Sequence, residues 1–485
     1  AICVVHVLPL IPPRRRRLRL PSCEVTCGES SSMLLTTSLL TARGVMAEVA
    51  PSAASTTPRS RACVMAVGER LQRRVAVIGG GSAGVTTARF LQRAGHRPVI
   101  FEAGSTFGGV WADNPTNDVV YKNLQTNLPT VVMQSPDLDF PQGLSSYITK
   151  PQLGTYIEAY AHTFGVASLA KFDCAVKSVT PIDEEGATGE ARWRVEWEES
   201  GQRRSEVFDA VTVANGHYEA PYVPDIPGQA EWLGADAASR AVVHSREYDE
   251  PEAFSGRAVL VVGGRSSGVD IARELRGVAS WVYVLEKKCS EPRTYEAERV
   301  THVPLGTRLC ADGRLRYGAD CDGGGGATVE GPPVERVVLA TGYCYSFPFL
   351  DERALGMEFE GKRCVTPLYQ HVLHAARPGL GFVGIPLAVP CPIPFFECQA
   401  AWLAEQWARP AGAPLVDEEE RLAWVEARVA AVAPREQDIH LTGAAGGNAW
   451  DYMRELVLQV RGGAPPAELL QWHPVSKRMS RLDYQ

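Results

Sequence analysis

Two glycine-rich runs hold the residues most able to do chemistry. The first, Gly79-Gly80-Gly81-Ser82-Ala83-Gly84, has glycine at its first, third and sixth positions. That spacing suits a pyrophosphate-binding turn: Gly79 permits a sharp bend, Gly81 lets the backbone approach the anion, and Gly84 lets a following helix pack closely. Free N–H groups at the start of that helix add donors. Glu102, eighteen residues beyond Gly84, can accept hydrogen bonds from ribose hydroxyls. The second run, Gly263-Gly264-Arg265-Ser266-Ser267-Gly268, keeps the outer glycines and puts Arg265 at the middle position. An arginine there either obstructs a pyrophosphate or binds it as a cation. Glu286, Lys287 and Lys288 follow. Lys287 either pairs with a 2′-phosphate, favouring NADPH over NADH, or belongs to a solvated charge run.

Such loops work only between a strand and a helix. The apolar stretch 74–79 reads as a buried parallel strand, 85–94 as a helix stopped at Gly95, and 98–102 as a second strand. The pattern returns at 257–263, 269–275 and 281–285, with Gly79 and Gly263 lying 184 residues apart. Two nucleotide-binding lobes follow from that repetition. Residues 209–215 and 335–341 are two more buried strands, and 192–198 alternates like an exposed antiparallel strand. The glycine run at 322–327 reads as a surface loop, and 416–432 as an amphipathic helix with an acidic first turn. The last forty residues look polar and aromatic.

The chain has 485 residues, a net charge of −7 and a pI near 5.9, which gives no electrostatic reason to bind nucleic acid. No stretch supplies the roughly 18 apolar residues that a membrane span needs. Twelve scattered cysteines without a Cys-x-x-Cys pair argue against a disulfide scaffold, a zinc ribbon or dithiol redox chemistry. No His-Glu-x-x-His occurs, His162, His302 and His374 lack partners at metal-ligand spacing, and no metal site is expected. Residues 1–70 carry nine arginines, four glutamates and no lysine. They read either as an organellar transit peptide or as non-native upstream sequence, with Met33, Met46 and Met65 as possible starts. The expected compartment is the cytoplasm, or a plastid or mitochondrion if the segment is a genuine transit peptide. Oligomeric state is unreadable.

Further motifs run colinearly along 72–475. They include Gly108-Gly109-Val110-Trp111, the 121–129 segment with Thr126-Asn127-Leu128-Pro129, Asn215-Gly216-His217-Tyr218 and Ala340-Thr341-Gly342-Tyr343. Ser346 to Leu350, 367–371, 382–386 and Glu397-Cys398-Gln399 with Trp402 continue the set. The set resembles the flavin-containing monooxygenase family, and the Phe347-Pro348-Phe349-Leu350 stretch is most similar to its plant branch, which includes S-oxygenases of thioethers. The resemblance implies an α/β fold with two Rossmann-like domains, the NADPH domain inserted into the FAD domain. Its parts would be 1–70 as a separate segment, 71–218 and 332–485 for FAD, the latter ending in C-terminal helices, and 219–331 for NADPH. It implies FAD at Gly79, Gly80, Gly81, Ser82, Ala83, Gly84, Glu102, Val110, Trp111, Asn127 and Val176. It implies NADPH at Gly263, Ser266, Ser267 and Gly268, with Thr341 and Gly342 at a ligand-facing strand end. The implied reaction inserts one oxygen atom of O2 into a soft nitrogen or sulfur atom of a small molecule by way of a C4a-hydroperoxyflavin, with Asn127 beside it. An amide suits that post because it donates and accepts at once.

His244 and Tyr248 stand in register with the family's identifying stretch, whereas Ala238 and Arg240 replace its Phe and Gly. Two other readings stay open: an NADPH oxidase or reductase that releases peroxide, and a non-enzymatic flavoprotein whose second site is disabled by Arg265 and the 238–240 changes.

Overall fold

The computed structural model describes residues 70–461 except 113–118, 186–190, 319–325, 360, 362–363, 388, 411–415, 433–438 and 443–447. The arginine-rich start, most of the glycine run and 462–485 lie outside the described residues.

Short Val, Ile and Ala runs, apolar on both faces, form parallel strands that are covered on both sides. Arg74–Ile78 pairs in parallel with Arg97–Phe101 and with Ala210–Val213. Ala170–Lys171 extends one edge of this sheet; Leu380–Phe382, Leu373–His374 and Leu368–Tyr369 extend the other. The second sheet repeats the plan around Ala258–Val262, which lies between Trp281–Glu286 and Arg336–Leu339. Val300–Pro304 and Arg293–Tyr295 continue it on one side and Ala241–His244 on the other. The fold is therefore α/β with two such sheets, as expected.

All strands of the second sheet fall between 241 and 339, and those of the first lie before and after them. The second lobe is thus inserted into the first. The expected boundary at 331/332 needs correction, because Arg336–Leu339 belongs to the second sheet. Its Val337 and Val338 pair with Leu260 and Val261 on one side and with Val242 and Val243 on the other. An apolar run followed by glycine reads alike in either sheet, and only the pairing assigns it.

The alternation at 192–198 forms Ala191–Glu199, the middle strand of a three-stranded antiparallel sheet with Cys174–Glu185 and Gln202–Phe208. It is not an exposed strand: Trp193, Val195 and Trp197 are buried against Phe101 and Phe208. The helix at Glu418–Val432 opens with three glutamates, close to its expected place. The final segment, polar and aromatic in composition, supplies the helix Ala449–Arg461 within the stretch expected to end in helices. Tyr452, Met453, Leu456 and Val457 lie on one face of that helix and are buried in the core shared with Pro392–Trp407. No helix among the described residues is long and apolar enough to cross a membrane.

Two buried histidines make the fold acid-sensitive. His374 Nε2 lies 3.0 Å from the Leu355 carbonyl, while Nδ1 accepts the N–H groups of Ala376 and Arg377 at 3.2 and 3.1 Å. That arrangement suits the neutral ring, and burial pushes its pKa down to about 4. Burial likewise pushes His440 down to about 3. A depressed folded-state pKa means that the unfolded chain binds protons first as pH falls. Their contribution is complete above the ordinary value near 6.5 and is lost between there and the folded value, on the order of 3 to 5 kcal/mol per group. The thermal midpoint should be level from pH 8 to 7 and fall by several degrees by pH 5. A level profile down to pH 5 would contradict this assignment.

Candidate active site between two glycine loops

At the end of Arg74–Ile78 the chain turns at Gly79, whose φ is +106°. A Cβ there would lie 2.6 Å from the Ala214 carbonyl oxygen, at the end of the neighbouring strand. Gly84, on the first turn of Ser82–Arg93, is closer still: its Cβ would lie 1.8 Å from Gly79 O. Gly81 is extended, with φ −73° and ψ −177°. Gly109 packs against it, since a Cβ on Gly109 would come within 3.1 Å of Gly81 Cα. Ser82 and Ala83 open the helix, and no side chain caps it.

Both oxygens of Glu102 brace this loop. Gly80 N–H donates to Oε2 at 2.6 Å and Gly104 N–H to Oε1 at 2.7 Å. Val110 and Trp111 belong to the short helical turn Gly109–Trp111, held over the loop by Gly108 N–H to Gly80 O at 3.1 Å. Val176 lies on the strand that leaves this sheet end, where Cys174 N–H bonds Glu102 O at 2.9 Å. Gly384 passes so near that its Cβ would be 3.3 Å from Ala83 Cβ. Among the described residues, Asn215 Oδ1, just past the Ala214 strand end, is buried with no hydrogen-bond partner. A glycine cradle, an uncapped helix start and an orphaned buried acceptor fit a dinucleotide.

The second loop is built the same way. Gly263 has φ +117°, with its Cβ position 2.3 Å from Ala340 O, and the Cβ position of Gly268 is 1.7 Å from Gly263 O. Arg265 is extended, with φ −100° and ψ −168°, so a non-glycine stands there without backbone strain. Its side chain is exposed at the start of Ser266–Leu275. Lys287 is exposed just past Trp281–Glu286 and does not line the space between the loops.

The second loop opens on a narrow cleft that also reaches Val110, on the turn held over the first loop. Val110 and Asn127 line it from one side, Ser266, Ser267 and Asp270 from the other, with Tyr218 at the connector. Thr341 and Gly342 also bond the connectors between lobes. Ala220–Pro221 pairs with Tyr343–Cys344, Thr341 Oγ1 donates to Tyr222 O, and Gly342 O accepts from Tyr222 N–H at 2.9 Å. His244 Nε2 is 3.1 Å from the same oxygen. Arg240 bonds the carbonyls of Trp232 and Ala311, so this departure from the family pattern stitches the second lobe together. Beside the connectors, burial pushes His217 down to about 4, leaving a neutral ring against Tyr218.

One contributor was not legible in the sequence. Tyr121 precedes Asn127 in a first-lobe segment, yet its ring is buried in the second lobe's core against Tyr248, at 5.6 Å between centroids. Its hydroxyl lies 3.3 Å from Asp270 Oδ2. Lys122 N–H bonds Asp249 O, and its ammonium pairs with Glu250 at 2.9 Å. This clamp fixes the Asn127 loop against the second helix.

Two parallel sheets with matched glycine loops, the second inserted into the first, are the plan of a protein with two dinucleotide-binding domains. Residues 72–297 match the family model described as flavin-binding monooxygenase-like. The chain is 32% identical over 443 residues to flavin-containing monooxygenase FMO GS-OX5 of Arabidopsis thaliana, covering 85% of this chain and 89% of that one. It resembles the solved S-allyl-L-cysteine S-oxygenase from Allium sativum with a TM-score of 0.70 and 29% identity, over 85% of this chain and 94% of the other. A cyclohexanone monooxygenase shares the fold at a TM-score of 0.53 and 16% identity, over 81% of this chain and 99% of that one. The chain belongs to the flavin-containing monooxygenase family, a class of flavoprotein oxidoreductases.

Proposed function

We propose that this enzyme binds FAD at the first loop and a nicotinamide dinucleotide, NADPH in the manner of its family, at the second, and oxygenates a soft sulfur or nitrogen atom. A thioether sulfur is preferred, in line with the Allium relative. The observation that carries the reading is the cleft, where Asn127 faces Ser266 and Ser267. The balanced reaction takes thioether, O2, reduced nucleotide and one proton to sulfoxide, water and oxidised nucleotide. The FAD domain then comprises 71–218 and the chain beyond 339, with 219–339 between.

FAD, when bound, supplies the oxygen-activating chemistry. The chain's own residues bind and enclose. Gly79 to Gly84 cradle the pyrophosphate, Glu102 takes the ribose hydroxyls, and Val110, Trp111 and Val176 wall the first nucleotide. Gly263, Ser266, Ser267 and Gly268 receive the second, and exposed Arg265 offers a counter-charge to its pyrophosphate. The strain-free backbone at Arg265 supports a working second site over a disabled one. Tyr218 and Tyr343 help exclude water from the cavity. Asn127 both donates and accepts, holding the reactive centre in a dry, fixed geometry.

The Asn127→Ala enzyme should keep its flavin and still oxidise nucleotide, while product formed per nucleotide falls by about tenfold or more. Hydrogen peroxide should account for the difference. Unchanged coupling in that variant would remove Asn127 from the chemistry.

A further inference from the structure

Each lobe ends its second strand in a glutamate at the same place. Glu102 stands eighteen residues past Gly84, and Glu286 eighteen past Gly268. Each carboxylate leans on the second residue of its loop: a Cβ on Gly80 would lie 3.0 Å from Glu102 Oε2, and one on Gly264 would lie 2.4 Å from Glu286 Oε2. Glu286 is also held from its other side, because His302 Nδ1 is 2.7 Å from Oε1. The parallel register puts His302 beside Val284, two residues before the acid on the neighbouring strand.

A carboxylate at this position accepts hydrogen bonds from the 2′- and 3′-hydroxyls of an adenine ribose. The same charge repels a 2′-phosphate. Packed on Gly264 and bonded by His302, Glu286 must give up the His302 hydrogen bond to swing away from an incoming phosphate. Exposed Lys287 is the next residue and pulls the other way.

We infer that Glu286 makes the second site a reader of the 2′-hydroxyl, so that NADH is accepted alongside NADPH, with Glu286 and Lys287 setting the balance. The inference rests on the nicotinamide site proposed above and specifies its ligand. It assigns His302 a positioning role, since its ring fixes the carboxylate without reaching the nucleotide.

Calorimetric binding of NAD+, NADP+, AMP and 2′,5′-ADP to the FAD-loaded enzyme tests this without turnover. NAD+ should bind within about tenfold of NADP+, or more tightly. Glu286→Gln removes the like charge and keeps the shape. It should shift the NADP+ to NAD+ affinity ratio, and that of 2′,5′-ADP to AMP, about tenfold or more toward the phosphorylated ligand. Lys287→Ala should weaken NADP+ and leave NAD+ unchanged, which keeps the test decisive if Glu286→Gln fails to hold flavin. A native enzyme preferring NADP+ by about a hundredfold or more, or an unmoved ratio in Glu286→Gln, would overturn the inference alone. Binding of none of the four ligands would instead overturn the proposed nicotinamide site, and the inference with it.

Discussion

Gly84→Ala should yield an enzyme purified without its flavin, whereas Gly268→Ala should keep the flavin and lose the nicotinamide nucleotide. The Cβ positions lie 1.8 Å from Gly79 O and 1.7 Å from Gly263 O, far inside any non-bonded contact. In both cases the obstacle is backbone, so no side chain can turn aside to make room. Each helix must back away from its strand by more than an ångström, taking the loop's N–H groups with it. Displacements of that size cost about a hundredfold in interactions that depend on fixed geometry. The lobes are separate sheets with separate loops, which is why the two substitutions should divide the two ligands between them. The flavin-to-protein absorbance ratio reads the first change and nucleotide titration of the flavin-loaded protein reads the second. Full flavin in Gly84→Ala would contradict the assignment of the first loop.

Glu397→Ala should destabilise the enzyme by about 3 kcal/mol or more, the usual result of removing one partner from a buried ion pair. Arg89 and Glu397 are both nearly closed to solvent, with Nη1 3.0 Å from Oε1. The same oxygen accepts from Ser135 Oγ and from Tyr160 OH, each at 2.8 Å. The Arg89 guanidinium lies 3.5 Å over the Phe164 ring and also pairs with Asp137. Losing the carboxylate leaves an arginine under-compensated in an apolar setting and two hydroxyls short of an acceptor. The network ties Ser82–Arg93, which carries the first loop, to Pro392–Trp407, so flavin retention should weaken along with stability. Chemical denaturation of the native and variant enzymes reads the effect. A difference below about 1 kcal/mol would show that Asp137 alone compensates Arg89.

Much of the fold was legible because parallel strands buried on both faces leave unbroken Val, Ile and Ala runs that end in glycine. Residues 74–79 and 257–263 carry that signature, and their helices begin within a few residues of the expected places. Two features were hidden by different causes. Arg336–Leu339 has the same signature but belongs to whichever sheet pairs with it, and pairing is a property of the folded chain. The helix Ala449–Arg461 falls among the expected C-terminal helices, but its Asp, Arg and Glu residues hide the buried face that Tyr452, Met453, Leu456 and Val457 share. At the site, the local pieces were readable: both loops, Glu102 and the Asn127 segment. What is held across the fold was not. Tyr121 serves the lobe to which its sequence neighbours do not belong. Glu286 and His302 meet through the register of adjacent strands, which no spacing along the chain announces. Thr341 and Gly342 were expected at a ligand-facing strand end, and the hydroxyl of the one and the carbonyl of the other also bond the connectors.

The central claim is most directly tested by following the oxygen atoms. The FAD-loaded enzyme, a reduced nicotinamide nucleotide, S-allyl-L-cysteine as the thioether and 18O2 should give sulfoxide carrying one labelled atom for each nucleotide oxidised, with the second atom leaving as water. Nucleotide oxidation with all of the consumed oxygen recovered as hydrogen peroxide, and no label in the thioether or in a tertiary amine offered beside it, would contradict a monooxygenase and establish an oxidase on the same two loops.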